Sequence, residues 1–148
     1  DRAQMCAQAF GHIAGAQVCD IERRLGGTSY TINTLRALRE QLPGEQLYLL
    51  IGGDMLFSFD KWFRYEAILN EAKVCAVARG GDSYADMLEY ANELGKIRVL
   101  PTQALDISST QVRELAARGG DISALVPQQV AEYISQHGLY RADGGADI

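Results

Sequence analysis

The sequence predicts an α/β fold, a doubly wound, Rossmann-like parallel sheet with helices between its strands. Three observations carry this. Uninterrupted apolar runs, "LYLLI" (47–51), "KVCAVA" (73–78) and "IRVL" (97–100), have the length and composition of buried parallel strands. Segments with apolar residues at helical spacing stand between them. Clusters of glycine, proline and aspartate mark each change of pattern.

In chain order, Met5, Cys6, Ala9, Phe10 and Ile13 recur at helical spacing. The chain thus opens inside a helix, with Asp rather than Met as residue 1, and reads as lacking its natural N-terminus. "AQVCDIE" (16–22) reads as a short strand and "RRLGGTSYT" (23–31) as a loop. In "TINTLRALREQLP" Ile32, Leu35, Leu38 and Leu42 share a face; Ser29 or Thr31 can cap this helix and Pro43 ends it. "LYLLI" reads as a strand buried on both faces, closed by Gly52-Gly53-Asp54. A short amphipathic segment carries Trp62 into the helix "YEAILNEA" (65–72), and "KVCAVA" follows, ending at Arg79-Gly80-Gly81. "YADMLEYANELG" is a helix stopped by Gly95, and "IRVL" is a further strand. "SSTQVRELAARGG" is a helix with Gly119 past its end; "VPQQVAEYISQHGL" starts on Pro127 and stops at Gly138. Residues 142–148 read as a disordered polar tail. Without repeat or linker, residues 1–141 read as one domain.

The 148 residues are 47% hydrophobic and 22% charged, as in ordinary globular chains. A net charge of −5 argues against a nucleic-acid partner, which needs a basic face. No apolar run has the length of a membrane span and no signal peptide opens the chain, so no membrane association and a cytoplasmic location are expected. Cys6, Cys19 and Cys75 have neither zinc nor C-x-x-C spacing; they read as small buried hydrophobes in a reducing compartment, and no protein-held metal is expected.

In such sheets ligands bind where the strands end. The informative residues therefore follow the strands: Gly26 to Thr31, Gly52-Gly53-Asp54, Arg79-Gly80-Gly81 and Ser108-Ser109-Thr110. In "ISSTQVR" (107–113) a helix start offers unpaired N–H groups and the positive end of its dipole, both suited to phosphate. Ser109 or Thr110 can cap the helix or donate a hydroxyl, and Arg113 lies one turn on with a fork that suits phosphate oxygens. The stretch reads equally as a serine-capped helix with a solvated arginine. Gly52 and Gly53 let a ligand approach the backbone and Asp54 can accept from a ribose, or the three form a turn with Asp54 as cap. Trp62 suits stacking on a nitrogen heterocycle and also suits a core. Arg79 can serve a phosphate or carboxylate, and the amides of Gly26 to Thr31 a small carboxylate or only a turn. Asp20 and Glu22 read as solvated or paired with Arg23 or Arg24, and His137 fits a helix C-terminus.

Together "GGTSYTINTLRALR", "LYLLIGGDML…W", "VCAVARGG", "ISSTQVR" and "VPQQVAEYISQHGLY" resemble, in order and spacing, the bacterial nicotinate-nucleotide adenylyltransferase family of the nucleotidyltransferase superfamily. The resemblance runs from Asp1 to about Tyr140. It implies adenylyl transfer from ATP to nicotinate mononucleotide, giving deamido-NAD and pyrophosphate with Mg²⁺ assisting. It implies that Gly52, Asp54, Ile107, Ser108, Ser109, Thr110 and Arg113 serve ATP, with Arg113 catalytic. Tyr30 and Thr31 would meet the nicotinate carboxylate, Trp62 its ring, and Arg79 the mononucleotide phosphate. The partners implied are these two nucleotides, and a homo-oligomer is compatible with the reading. The family's opening strands and its H-x-G-H motif have no counterpart: Ala9-Phe10-Gly11-His12 holds only the last two letters, inside the predicted first helix. A chain without those strands would show little transferase activity and would leave an edge of 47–51 unpaired. Two other readings stand beside it: an enzyme for the amide mononucleotide, and a non-catalytic nucleotide-binding module.

Overall fold

The computed structural model describes residues 1–78, 81–102 and 107–141. In chain order the elements are α1 (Arg2–Phe10), α2 (Ile21–Leu25), α3 (Thr31–Gln41), β1 (Tyr48–Gly52), α4 (Gly53–Leu56), a 3-10 turn (Phe59–Lys61), α5 (Tyr65–Glu71), β2 (Lys73–Val77), α6 (Tyr84–Leu94), β3 (Ile97–Leu100), α7 (Ser109–Ala117) and α8 (Gln128–Gln136). They group into two compact units. One is Asp20–Asp106; the other joins Asp1–Cys19 to Ile107–Ile148. The predicted tail at 142–148 lies outside the described residues.

The first unit holds a parallel sheet in the order β1-β2-β3. Leu50 pairs with Cys75 and Cys75 with Arg98, while Gly52, Val77 and Leu100 end level with one another. Parallel neighbours cannot be joined by a hairpin, so a helix intervenes at each return and all three strands finish at one rim. Ile51, Val74, Ala76 and Val99 face a core completed by Ile32 and Leu35 of α3, Leu56, Phe59, Ile68, and Met87 and Ala91 of α6. On α5, Glu71 accepts from Arg39 Nε at 3.0 Å and meets Arg36 at 3.5 Å, which ties α3 to α5. Ser83 caps α6 by accepting from Asp86 N–H, and Gly95, at φ 67°, ends it in a conformation that glycine adopts without strain.

Three expectations are corrected here. The run at 47–51 is not buried on both faces: Tyr48 and Leu50 are 63% and 62% exposed. The side chains alternate across the strand, and the core-forming helices of this unit pack on the face that Ile51 shares. An apolar run shows that both faces are apolar, not that both are covered. Second, 16–22 is not a strand. Residues 16–20 have no regular structure, and Ile21–Leu25 is helix α2 with Ile21 buried. Asp20 precedes the helix and accepts from Arg24 Nε at 2.8 Å, an i,i+4 pair that stabilises a helical turn and gives a strand nothing. Third, only Cys75 is buried; Cys6 and Cys19 are exposed.

In the second unit Val112, Ile122, Val130 and Ile134 form the core, with Met5 and Ala9 of α1 packed against it. Tyr133 Oη donates to Asp1 Oδ1 at 2.8 Å and ties α8 to α1. Gly11 and His12 follow α1, which ends at Phe10. The carboxyl of Asp121 accepts from Ser123 N–H at 2.9 Å, which holds its pKa below the ordinary value. His137 stacks on Tyr133 beyond the end of α8, with ring centroids 3.9 Å apart. No helix among the described residues is long and apolar enough to cross a membrane.

Leu56 is fully buried in the core of the sheet-bearing unit. Leu56→Ala is expected to cost about 2–5 kcal/mol in urea denaturation, because the cavity adds to the lost transfer energy.

Candidate functional site

In the sheet-bearing unit, Ser29, Tyr30, Thr31, Trp62, Phe63 and Ile68 line a pocket of about 280 Å³. Its walls come from two places in the chain. Tyr30 is extended, with φ −101° and ψ 127°, and leads into α3. No side chain caps α3, so neither Ser29 nor Thr31 acts as predicted; Asn33 N–H donates to Tyr30 O at 2.9 Å, which leaves the Thr31 and Ile32 amides at the helix start. The opposite wall follows the 3-10 turn, where Trp62 N–H donates to Phe59 O at 3.0 Å. The Trp62 ring packs on Phe59, with centroids 5.2 Å apart, and also lines the pocket. Trp62 thus packs on the core and faces the pocket at once.

Phe63 belongs to the pocket and was not singled out from the sequence, although it adjoins Trp62 in "WF". Its ring lies 4.3 Å from that of Tyr30, and the Arg64 guanidinium carbon sits 5.2 Å from the Phe63 centroid. Arg64 adopts φ 56° and ψ 45°, a left-handed conformation uncommon for a residue with a side chain. Tyr90 Oη donates to Asp60 Oδ1 at 3.0 Å, linking α6 to the 3-10 turn; desolvation and then that acid push the phenol pKa up.

Gly52 ends β1 and immediately precedes α4, with Asp54 exposed in the helix's first turn. Gly53 has a packing reason. A Cβ there would stand 2.3 Å from Asp82 Oδ2 and 3.2 Å from Met87 Sδ. The close approach predicted for the glycine pair is thus, at Gly53, an approach by Asp82 and α6. Arg79 lies outside the described residues.

Residues 107–113 belong to the second unit. The cap there is Ser108, not Ser109 or Thr110. Its hydroxyl accepts from Gln111 N–H at 3.1 Å, and Gln111 Oε1 accepts from Ser108 N–H at 3.5 Å. This capping box wins because Gln111 stands three residues after Ser108, at the spacing that satisfies two donors reciprocally. Ile107, Ser109, Thr110 and Arg113 are exposed, while Val112 is buried in this unit's core. Arg113 Nη2 donates to Thr110 Oγ1 at 3.3 Å, placing the guanidinium along the first turn. Capping by Ser108 leaves the Ser109 and Thr110 hydroxyls and the Arg113 fork on the outer side of that turn. Among the described residues no group of three His, Cys, Asp or Glu side chains could hold a metal.

No family model matches the chain. It is 34% identical to the probable nicotinate-nucleotide adenylyltransferase of Geobacter metallireducens, over 96% of this chain and 74% of the relative. It is 37% identical to the proteins of the same description from Rhodopirellula baltica, over 95% and 69%, and Gloeobacter violaceus, over 99% and 73%. Among solved structures it is similar to Plasmodium falciparum nicotinic acid mononucleotide adenylyltransferase complexed with APC. The TM-score is 0.61 at 20% identity, covering 78% of this chain and 60% of that one. The same enzyme complexed with NaAD gives 0.60 at 21%, covering 76% and 58%. At these identities the likeness is one of fold; the chain spans about three fifths of those structures' length.

Ser108→Ala is expected to cost about 1 kcal/mol of stability and Ser109→Ala only a few tenths, since a single side chain serves the cap. Thermal denaturation of the two variants, followed by circular dichroism at the helical band, checks the order.

Proposed function

The chain belongs to the nicotinate-nucleotide adenylyltransferase family of nucleotidyltransferase enzymes, and on that footing we propose that it takes part in adenylyl transfer from ATP to nicotinate mononucleotide in NAD biosynthesis. The observation that carries the assignment of residues is the pocket joining the uncapped start of α3 to Trp62. A nicotinate ring has one flat face and one carboxylate. Trp62 supplies a stacking partner and Phe63 a second aromatic wall; the Tyr30–Thr31 backbone supplies N–H donors at the positive end of a helix dipole.

Gly52 and Asp54, where β1 ends, lie along the nucleotide, with Asp54 accepting from a ribose hydroxyl. Ile107, Ser108, Ser109, Thr110 and Arg113 hold the ATP phosphates, and Arg79 approaches the mononucleotide phosphate. Ser108 can serve twice, since its oxygen accepts the capping bond while its hydroxyl hydrogen donates outward. In the reaction, an oxygen of the mononucleotide phosphate bonds to the α-phosphorus of ATP. The bond from that phosphorus to the bridging oxygen breaks, and the electron pair leaves with pyrophosphate. Such steps depend on positioning and charge stabilisation. Arg113 donates to phosphate oxygens as negative charge moves to the leaving group. Nucleotide adenylyltransferases generally use a divalent metal with ATP. Mg²⁺ accompanying ATP would supply charge neutralisation at its phosphates. An ATP-consuming step accords with a cytoplasmic location.

Trp62 is the sole tryptophan, so its fluorescence reports the pocket directly. Nicotinate mononucleotide is expected to quench it at lower concentration than the amide mononucleotide does; the reverse order would assign the pocket to the amide. Trp62→Ala is expected to weaken nicotinate mononucleotide binding by about 1–3 kcal/mol, measured calorimetrically, and to leave ATP affinity unchanged. A folded variant with unaltered affinity would remove the stacking role.

Arg113→Lys retains the charge and loses the planar fork. The rate of deamido-NAD formation is expected to fall about ten- to a thousand-fold, with mononucleotide affinity and melting temperature held.

A further inference from the structure

A second cavity, of about 610 Å³, lies at the other end of the sheet, where the strands begin. Among the residues lining it are Gln46, Tyr48, Asn70, Lys73, Lys96 and Arg98. The five residues of β1 separate it by about 13 Å from the rim at Gly52. Three of its lining residues are cations and, among the described residues, none is an acid, in a chain whose net charge is −5.

Their placement follows from register. Tyr48 pairs with Lys73, and on the next rung of the same face Cys75 pairs with Arg98. Parallel strands lie about 4.8 Å apart, so Lys73 and Arg98 project from one face of adjoining strands. Two of the cations are also held. Lys73 Nζ sits 5.7 Å from the centroid of the Tyr48 ring. Lys96 Nζ donates to Asn70 Oδ1 at 3.0 Å, from a backbone at φ 59°, which a residue with a side chain adopts only at a cost. Glu71, the acid nearest to Lys73 in sequence, is engaged by Arg36 and Arg39. Among the described residues no carboxylate lies within ion-pair distance of Lys73, Lys96 or Arg98.

We propose that this cavity is a second anion site, distinct from the Trp62 pocket, which binds a phosphorylated small molecule through Lys73, Lys96 and Arg98. Positioned ammonium and guanidinium groups without acids repel one another, and a phosphoryl group relieves that repulsion while accepting several charge-assisted hydrogen bonds. The volume is that of a small-molecule pocket. Tyr48, 63% exposed, adds a stacking surface, and the Gln46 and Asn70 amides add groups able to read a base edge. The shared chemistry is a phosphoryl anion, either free or carried by a nucleotide.

The test first removes Arg113, the cation of the proposed ATP-phosphate site. In an Arg113→Gln background, inorganic pyrophosphate is titrated calorimetrically into the chain with and without Lys73→Gln plus Arg98→Gln. Saturable binding is expected in the first, and affinity at least about tenfold lower in the second. Nicotinate mononucleotide should quench Trp62 equally in both, which keeps this site separate from the first and shows the variant folded. Arg98→Gln alone serves as the milder replacement if the double change lowers the melting temperature. Adenosine monophosphate in place of pyrophosphate identifies the source: tighter binding that Tyr48→Ala abolishes marks a nucleotide, and equal or weaker binding marks the free anion. No saturable binding of either, or affinity unchanged by the substitutions, overturns the site.

Discussion

Parallel pairing about β2 is the constraint on which the sheet-bearing unit depends. Val74 and Ala76 are buried because β2 has a hydrogen-bonded neighbour on each side and a layer of helices on one face. Parallel strands must return through crossovers, so Gly52, Val77 and Leu100 end together and the segments that follow open at one rim. The same register aligns the strand beginnings, where Tyr48, Lys73 and Arg98 come onto one face. One ladder thus produces a rim at Gly52 at one end and a cavity lined by three cations at the other.

Core and pocket share side chains in this unit. Ile68 is fully buried in the core and also lines the Trp62 pocket, and Trp62 packs on Phe59. A wall built from core residues is held by packing, so its ring is oriented before a ligand arrives and loses little freedom on binding. The uncapped start of α3 is the complementary device, because donors left without an internal partner stay available to a ligand.

The second unit divides the tasks of its helix start. Ser108 and Gln111 satisfy the first amides, Val112 anchors the turn in the core, and Ser109, Thr110 and Arg113 are exposed. A capped helix start stays compatible with the proposed phosphate site, because the capping bond uses the Ser108 oxygen and leaves Ser109, Thr110 and Arg113 exposed on the turn after it.

The sequence by itself determined the three strands, the helices between them and the family, since short apolar runs, helical spacing and ordered motifs are local properties of the chain. It also placed Tyr30, Thr31 and Trp62 in one candidate site, which the structure brings to a single pocket. Tertiary structure decided what depends on neighbours. Leu50 is exposed because the core helices of this unit pack on the other face of β1, and no count of apolar residues reveals which face is covered. Residues 16–22 lack a strand because pairing needs a partner, and the Asp20–Arg24 pair favours a turn of helix. Gly53 is glycine because Asp82, far along the chain, occupies the space of a side chain. Lys73 comes beside Lys96 and Arg98, which are near neighbours in sequence, only through the register of β2 and β3. Local preference is written residue by residue, whereas coverage, register and close approach belong to pairs of distant segments and exist only once the chain has folded.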